Sequence, residues 1–292
     1  MTPEGSITAL ITPFANREVD EDAFAKLVER QIVAGTHGLV PVGTTGESAT
    51  LSHEEHRRVV TLCKEVANGR VPVIAGAGSN STREAISLAN FAEELGADAI
   101  LSVTGYYNKP SQPGLINHFT ALHDATSLPI IVYNVPGRTV ANLSVDTIAT
   151  LSRLPRIVAL KDATADLGRV PLQRLASDEA FVQLSGEDMT AVGFNAMGGR
   201  GCISVTSNIA PELCAQMQNA CLAGDYETAI SIQDKLAPLH DALFQDVSPA
   251  PAKYAMSLMG LCNEDLRMPL APASDSAKAA IKSALKGLDL ID

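Results

Sequence analysis

The sequence predicts an α/β fold in which eight parallel strands close into a (β/α)8, or TIM, barrel with a C-terminal helical appendage. Short, nearly all-apolar segments recur eight times at regular spacing, which is typical of strands buried on both faces. The segments between them carry apolar residues at helical spacing. After Val205 only the helical periodicity continues. An open doubly wound sheet is the alternative, but it rarely needs eight evenly spaced strand-helix units.

The eight predicted strands are rich in β-branched and other apolar residues. They are residues 7–11, 38–42, 71–75, 99–103, 130–133, 157–160, 181–184 and 202–205. Two helix starts carry the capping-box pattern, in Ser52-x-x-Glu55 and Ser81-x-x-Glu84. The chain beyond the last strand predicts helices over residues 211–222, 225–244, 250–261 and 274–288. Because no low-complexity linker separates them, we expect residues 1–224 to form the barrel and residues 225–292 to pack on it.

The composition excludes several classes of protein. The 292 residues are 46% hydrophobic and carry 22 basic against 33 acidic side chains, which argues against binding nucleic acid or an anionic membrane. No apolar run approaches the ~20 residues that span a bilayer, and the first residues lack the pattern of a signal peptide. We therefore expect a cytoplasmic protein. The five cysteines are odd in number and form no Cys-x-x-Cys pair, so we expect reduced thiols and neither a disulfide framework nor a zinc site.

The carboxyl ends of barrel strands hold the active site in enzymes of this fold. The residues expected there are Thr12, Thr44, Thr45, Gly78, Tyr106, Tyr107, Tyr133, Lys161, Gly186, Glu187 and residues 204–206. One lysine and several hydroxyls, without a cluster of acids or histidines, favour amine chemistry over metal-dependent hydrolysis.

Lys161 follows an apolar strand directly, so we expect its amine in a partly dehydrated rim. Loss of water disfavours the charged ammonium, and the neutral amine is the form that attacks a carbonyl to give a Schiff base. The alternative is that Lys161 reaches solvent or pairs with Asp162.

Three further sites stand near this lysine in the predicted barrel. Tyr133 ends the preceding strand, about 4.8 Å away, where its phenol can carry protons for imine formation. Thr44 and Thr45 lie between glycines that free the backbone to turn inward. Arg138 lies in a Pro-Gly loop, from which it can grip a carboxylate. There is an alternative for each: Tyr133 could be a packing residue, Thr44 and Thr45 could belong to a capped turn, and Arg138 could form a surface salt bridge.

Three motifs fail as cofactor or metal sites. Residues 76–81, Gly-Ala-Gly-Ser-Asn-Ser, lack the third glycine of a dinucleotide fingerprint. His53 and His56 are three residues apart instead of the four of a zinc helix. Residues 198–201, Gly-Gly-Arg-Gly, could suggest a phosphate site, because barrels often hold phosphate near strands seven and eight. They precede the last strand, so we interpret them as a tight turn at the opposite face of the barrel.

Five motifs together resemble the dihydrodipicolinate synthase family of class I, pyruvate-dependent aldolases. They are Gly-Thr-Thr-Gly-Glu-Ser at 43–48, Tyr-Tyr-Asn-Lys-Pro at 106–110, Tyr-Asn-Val-Pro-Gly-Arg-Thr at 133–139, Lys-Asp-Ala-Thr at 161–164 and Gly-Gly-Arg-Gly-Cys-Ile-Ser-Val at 198–205. The resemblance runs from about residue 5 to about residue 290. It implies a homotetramer without metal or organic cofactor. It also implies condensation of pyruvate with L-aspartate 4-semialdehyde on the route to diaminopimelate and lysine.

The resemblance also implies roles for individual residues. Lys161 would form the Schiff base and Tyr133 would transfer protons, with Thr44 and, from a neighbouring subunit, Tyr107 completing a relay. The implied substrate-binding residues are Thr45, Arg138, Gly186 and the main chain of Ile203. The implied site for the inhibitor L-lysine, at a dimer interface, comprises Ser48, Ala49, His53, His56, Asn80, Glu84 and Tyr106. Ser48 and Glu84 near helix starts are also ordinary caps.

The chain departs from the family pattern at three places. Gly105 stands where proline is usual, which should loosen the Tyr106–Tyr107 loop. Asp162 replaces a glutamate, and Ser248 replaces the asparagine of an Asn-Pro-x-Pro pattern. Two other functions remain open from the sequence. One is a related sugar-acid lyase or dehydratase, against which the Pro-Gly-Arg-Thr motif argues, and the other is a non-catalytic barrel that senses an amino acid.

Overall fold

Eight parallel strands form one closed barrel in the computed structural model, which describes residues 2–292. The strands are β1 (Gly5–Ala9), β2 (Gly38–Val40), β3 (Ile74–Gly76), β4 (Ala99–Val103), β5 (Ile130–Asn134), β6 (Ile157–Asp162), β7 (Val182–Ser185) and β8 (Gly201–Ser204). They pair in the order β2-β1-β8-β7-β6-β5-β4-β3. A parallel bridge between Leu39 and Val73 joins β2 to β3 and closes the ring. The predicted barrel is therefore confirmed.

A helix follows each strand, and three more helices end the chain. The barrel helices are α1 (Glu21–Val33), α2 (His53–Ala67), α3 (Thr82–Glu94), α4 (Gln112–Ala125), α5 (Val145–Ser152), α6 (Arg169–Ala176), α7 (Ala191–Ala196) and α8 (Pro211–Ala223). The last three are α9 (Tyr226–Ala242), α10 (Ala250–Leu258) and α11 (Asp275–Gly287). A hairpin of Phe14–Ala15 and Glu18–Val19 and a short helix, Pro136–Thr139, were not expected from the sequence.

Side chains alternate between two apolar layers along each strand, because successive residues of a strand point to opposite faces. Ile131, Tyr133 and Ala159 belong to the cluster inside the barrel. Val132 and Leu160 belong to the cluster between the strands and the helices. Lys161 is two residues beyond Ala159, so the same alternation directs its side chain into the barrel.

The C-terminal helices share a core with the barrel helices. Leu27 of α1 and Val192 of α7 lie in one apolar cluster with Leu236 of α9, Met256 of α10 and Ile281 of α11. This packing agrees with a helical region lying on the barrel, and the division between residues 224 and 225 stays a prediction. Within residues 2–292, no helix is both long enough and apolar enough to cross a membrane.

The two predicted capping boxes have different outcomes. At the start of α2, Ser52 Oγ accepts a hydrogen bond from Glu55 N at 3.2 Å, and Glu55 Oε2 accepts one from Ser52 N at 2.8 Å. At the start of α3 the prediction is wrong, because the side chain of Ser81 makes no capping bond. The hydroxyl of Ser79 lies between the two residues instead: it donates a hydrogen bond to the Glu84 carboxylate and accepts one from Ser81 N.

Candidate active site

Lys161 lies near the end of β6 with its amine inside the barrel. The residue is 6% exposed, and its Nζ is 4.1 Å from the centroid of the Tyr133 ring. Tyr133 and Lys161 are register partners on the adjacent strands β5 and β6, as the sequence predicts. Among the ion pairs formed by residues 2–292, none within 4.0 Å involves Lys161. The amine is therefore sheltered from water and has a phenol as its neighbour.

Asp162 binds other residues and does not form the pair with Lys161 that one alternative interpretation of the sequence proposed. It is buried, its Oδ1 accepts a hydrogen bond from Thr164 N at 2.9 Å, and its Oδ2 accepts one from Gln173 Nε2 at 2.8 Å. Its Oδ2 is also 3.7 Å from Arg169 Nε. The carboxylate thus lies on the outer face of the strand, opposite to the Lys161 amine.

Gly186 borders the Lys161 side chain at the end of β7. A Cβ atom on this residue would lie 2.8 Å from Ala163 Cβ and 3.1 Å from Lys161 Cε. Its N–H donates to Asp162 O at 2.7 Å, which fixes the approach of the two strands. The absence of a side chain here leaves the volume that the lysine occupies.

Glu187, the next residue, brings a carboxyl group close to the lysine. Burial raises its pKa, the neighbouring Asp188 adds to the effect, and the Lys161 charge opposes it. The strand-end argument places Glu187 at this rim, but neither the residue pattern nor the family resemblance predicts a role for it.

A cavity of about 480 Å³ opens at the carboxyl end of the barrel. Thr44, Tyr133 and Arg138 line it. Most residues of the predicted inhibitor site line the same cavity, namely Ser48, Ala49, His53, His56, Glu84 and Tyr106. The predicted residues that do not line it are Lys161, Thr45, Asn80, Tyr107, Gly186 and Ile203. The predicted active site and the predicted inhibitor site thus share one cavity. Lys161 lies beside this cavity, because its amine contacts the Tyr133 ring in the cavity wall.

The loop after β2 presents Thr44 to the cavity and buries Thr45. A tight turn forms because Gly46 N donates to Gly43 O at 3.0 Å and Glu47 N donates to Thr44 O at 3.1 Å. Thr12 Oγ1 donates to Gly46 O at 2.8 Å and anchors the turn to the end of β1. The glycines allow this turn, as the sequence indicates.

Arg138 is exposed on the short helix that starts at Pro136. Its N–H donates to Val135 O at 2.9 Å. Within residues 2–292 its guanidinium makes no ion pair within 4.0 Å. Arg138 thus forms no surface salt bridge within residues 2–292, and it is among the residues that line the cavity.

Two histidines of α2 border the cavity differently. His56 is buried, and its Nε2 lies 2.9 Å from Gly76 O, a distance at which the ring N–H donates. Burial lowers the pKa of His56 to about 4, so the ring is neutral at physiological pH. His53 is exposed, and its Nε2 lies 3.3 Å from Glu84 Oε1.

The loop after β4 separates Tyr106 from Tyr107. Asn80 Nδ2 donates to Tyr106 O at 3.2 Å, which holds this loop against the start of α3. Tyr107 is 95% exposed and has a positive φ of 69°. Its ring does not contact the cavity of its own chain, so its part in a relay stays a prediction.

The donor set of the cavity suits organic acids better than metal ions. Across residues 2–292, histidine, cysteine, aspartate and glutamate side chains form no group of three or more that could hold a metal ion. The cavity is lined by hydroxyls, the guanidinium of Arg138, the imidazoles of His53 and His56, and the carboxylates of Glu47 and Glu84. The amine of Lys161 lies beside it, against the Tyr133 ring.

A sheltered lysine beside a tyrosine, at the carboxyl end of a (β/α)8 barrel, defines a lyase-type barrel enzyme that acts on carbonyl compounds. Comparison with known proteins defines the group further. The chain belongs to the dihydrodipicolinate synthetase family, whose model matches residues 2–288.

Three relatives show how close the similarity is. The chain is 60% identical over 289 residues to a 4-hydroxy-tetrahydrodipicolinate synthase of Parvibaculum lavamentivorans, covering 99% of both chains. It superposes with a TM-score of 0.97 and 45% identity on the chloride-inhibited dihydrodipicolinate synthase from Acinetobacter baumannii complexed with pyruvate, covering 99% of this chain and 100% of that one. The enzyme from Cyanidioschyzon merolae with lysine bound gives a TM-score of 0.95 and 36% identity, covering 99% of both chains.

Proposed function

We propose that the chain is a 4-hydroxy-tetrahydrodipicolinate synthase, which condenses pyruvate with L-aspartate 4-semialdehyde in the first committed step toward diaminopimelate and lysine. The observation that carries this proposal is the Lys161 amine, sheltered in the barrel and 4.1 Å from the Tyr133 ring centroid. Relatives of 56–60% identity that bear this name support it. So does the pyruvate complex of the Acinetobacter baumannii enzyme.

In the first half of the proposed reaction, Lys161 Nζ attacks the ketone carbon of pyruvate. A C–N bond forms, the ketone oxygen takes up protons, and it leaves as water to give the imine. Tyr133 is the proton carrier, because its ring lies against the amine. Thr44 in the cavity wall, and Tyr107 reaching in from a neighbouring subunit, would connect that phenol to solvent.

In the second half, the protonated imine nitrogen is the electron sink. The former methyl group of pyruvate loses a proton to give an enamine, whose carbon adds to the aldehyde carbon of the semialdehyde. The amine of this substrate then attacks the imine carbon, closes the ring and releases Lys161. Because the lysine nitrogen holds the electrons, the proposed reaction needs neither a metal ion nor an organic cofactor.

The proposed binding roles rest on the family resemblance. We assign the pyruvate carboxylate to Thr45 and the main chain of Ile203, and room for the adduct to Gly186, whose missing Cβ borders Lys161. Arg138 is assigned to the carboxylate of the semialdehyde, since its guanidinium is free to make a bidentate contact at the cavity wall.

We further propose that L-lysine inhibits the enzyme by binding beside Ser48, Ala49, His53, His56, Asn80, Glu84 and Tyr106. The lysine-bound relative from Cyanidioschyzon merolae supports this proposal. The Glu84 carboxylate suits an ammonium group, and it lies in the same cavity as Thr44. A homotetramer and a cytoplasmic location, where five free cysteines stay reduced, complete the proposal.

A steady-state assay with pyruvate and L-aspartate 4-semialdehyde, with and without L-lysine, tests this function. The proposal predicts turnover of this pair of substrates and slower turnover when L-lysine is added. Turnover with a long sugar acid alone would instead support the lyase alternative and contradict the role of Arg138.

A further inference from the structure

A fully buried ion pair lies behind the loop that carries Thr44. Lys253 Nζ of α10 is 2.5 Å from Glu47 Oε1, and both side chains are 0% exposed. Burying two charges costs several kcal/mol for each ion, which is recovered only where the geometry of the pair is good. Neither residue lies among the strand ends. Glu47 is among the residues that line the cavity, and Lys253 is not.

Further contacts extend the pair to the segment after α10. Lys253 Nζ donates to Asp265 O at 2.8 Å, and Arg267 N donates to Glu47 Oε2 at 3.0 Å. The ring of Phe14 lies between two cations, 4.0 Å from Lys253 Nζ and 4.4 Å from Arg267 Cζ. The guanidinium of Arg267 also donates to Thr50 O at 3.0 Å, at the far end of the loop.

The loop itself is held in an unfavourable backbone conformation. Val42 and Glu47, on either side of Thr44, have φ values of 51° and 55°. Left-handed backbone is uncommon for residues other than glycine and is most costly for a β-branched residue such as valine. Gly76 accommodates this conformation, because a Cβ there would lie 2.3 Å from Val42 O. Such a conformation persists only where surrounding contacts impose it.

The pair also joins two walls of the cavity. Residues 42–44 and 47–51 of the loop region form one wall, and Ser248, Pro269 and Leu270 of the C-terminal region line another. Ser248 precedes α10 and Pro269 follows Arg267, so Lys253 and Arg267 link both parts of that second wall to Glu47.

We propose that Glu47 and Lys253 are positioning residues that hold Thr44 where it can serve proton transfer. The C-terminal helical region would then be part of the catalytic apparatus, although it supplies none of the reacting groups. This inference rests on the proposed function, because the role of Thr44 belongs to that proposal.

The test compares Lys253→Met and the double variant Glu47→Gln/Lys253→Met with the wild type. Each protein is treated with pyruvate and borohydride, and its intact mass is measured by mass spectrometry. The fraction of chains that carry the reduced adduct is the fraction able to form the imine, here called trapped chains. Turnover is then divided by this fraction to give kcat per trapped chain. We expect Lys253→Met to trap pyruvate and to lose roughly 10- to 100-fold in kcat per trapped chain, as misplacement near the chemistry does. The double variant, which removes the unpaired charge, should fold and lie between Lys253→Met and the wild type.

The matched control is Lys278→Met, which removes a second lysine–glutamate pair of the C-terminal region. Lys278 Nζ lies 3.0 Å from Glu264 Oε2 and 4.7 Å from the Tyr254 ring centroid, and none of these residues lines the cavity. It should keep the wild-type kcat per trapped chain. Wild-type kcat per trapped chain in the double variant, or in a folded Lys253→Met, would overturn the inference. A wild type that traps no pyruvate would instead contradict the proposed function.

Discussion

Lys161 and Asp162 are consecutive in β6 but belong to different environments, because strand alternation sends one side chain inward and the other outward. Lys161 meets the Tyr133 ring, whereas Asp162 is bound by Thr164 and Gln173. The inward direction of Lys161 can be predicted from the apolar strand before it. The partners of Asp162 cannot be predicted in this way, because they come from the loop and helix that follow.

Gly186→Ala should slow imine formation. The added methyl group would lie 3.1 Å from Lys161 Cε and 2.8 Å from Ala163 Cβ, so the lysine has to move. We expect a loss of roughly 10- to 100-fold in the rate of borohydride trapping with pyruvate. Gly287→Ala is the control, since a Cβ there meets no atom within 4 Å. Equal trapping rates in both variants would show that Gly186 does not set the volume for Lys161.

Arg138→Ala should weaken binding of the semialdehyde without weakening that of pyruvate. If the guanidinium holds only the semialdehyde carboxylate, losing a charge-assisted contact worth about 1.5–3 kcal/mol should raise the KM for that substrate roughly 10- to 100-fold. Pyruvate trapping should be unchanged. The exposed Arg153, at the end of α5, provides the control variant Arg153→Ala. A parallel loss of pyruvate trapping in Arg138→Ala would contradict the assignment.

Helix α2 carries His53 and His56 to the cavity, and its start is fixed by the Ser52–Glu55 capping box. Glu55 also binds the guanidinium of Arg267, and its pKa is lowered to about 2, chiefly by that contact. Glu55 thus caps the start of α2 and also links it to the C-terminal region through Arg267.

Ser52→Ala should lower the free energy of unfolding by about 1 kcal/mol, because the N–H of Glu55 loses its capping acceptor. Ser81→Ala is the matched control: the same pattern occurs in the sequence, but its hydroxyl makes no capping bond. Urea unfolding of both variants measures the difference. Equal losses of stability would mean that Ser81 also caps its helix.

The regular elements were predictable because their apolar residues recur with the period of a strand or a helix over enough positions. All eight strands lie within a few residues of their predicted bounds. The hairpin that contains Phe14 and the helix at Pro136 are too short to show a period. The Ser81 box failed because Ser79, nearby in the same loop, competes for Glu84. Local patterns do not reveal such competition.

The C-terminal helices and the barrel share one apolar cluster and the buried Glu47–Lys253 pair. Apolar periodicity indicates that these helices pack on something, as the sequence predicts. It does not reveal a charged pair between residues so distant in sequence, because either charge alone resembles an ordinary surface residue.

Stability should fall as the pH drops from 7 to 4. The pKa of His56 is about 4 in the folded chain against 6.5 for an unperturbed ring, so in this window the unfolded chain takes up the proton first. Burial also lowers the pKa of His118 and His240, which act in the same direction. From the His56 values the linked loss is about 3 kcal/mol.

His56→Gln checks the contribution of this histidine, because an amide can still donate to Gly76 O but does not titrate. Thermal unfolding should show a weaker dependence on pH between 7 and 4 than in the wild type. Parallel curves for the two proteins would contradict a buried, neutral His56.

In the proposed reaction, Lys161 carries pyruvate as an imine beside Tyr133. Incubation with pyruvate and borohydride, followed by digestion and mass spectrometry, shows whether this imine forms on Lys161. We expect the peptide with Lys161 to gain the mass of one reduced pyruvate adduct, and Lys161→Ala to abolish the gain in a folded chain. An unmodified Lys161, or an adduct that persists on another lysine in Lys161→Ala, would contradict it.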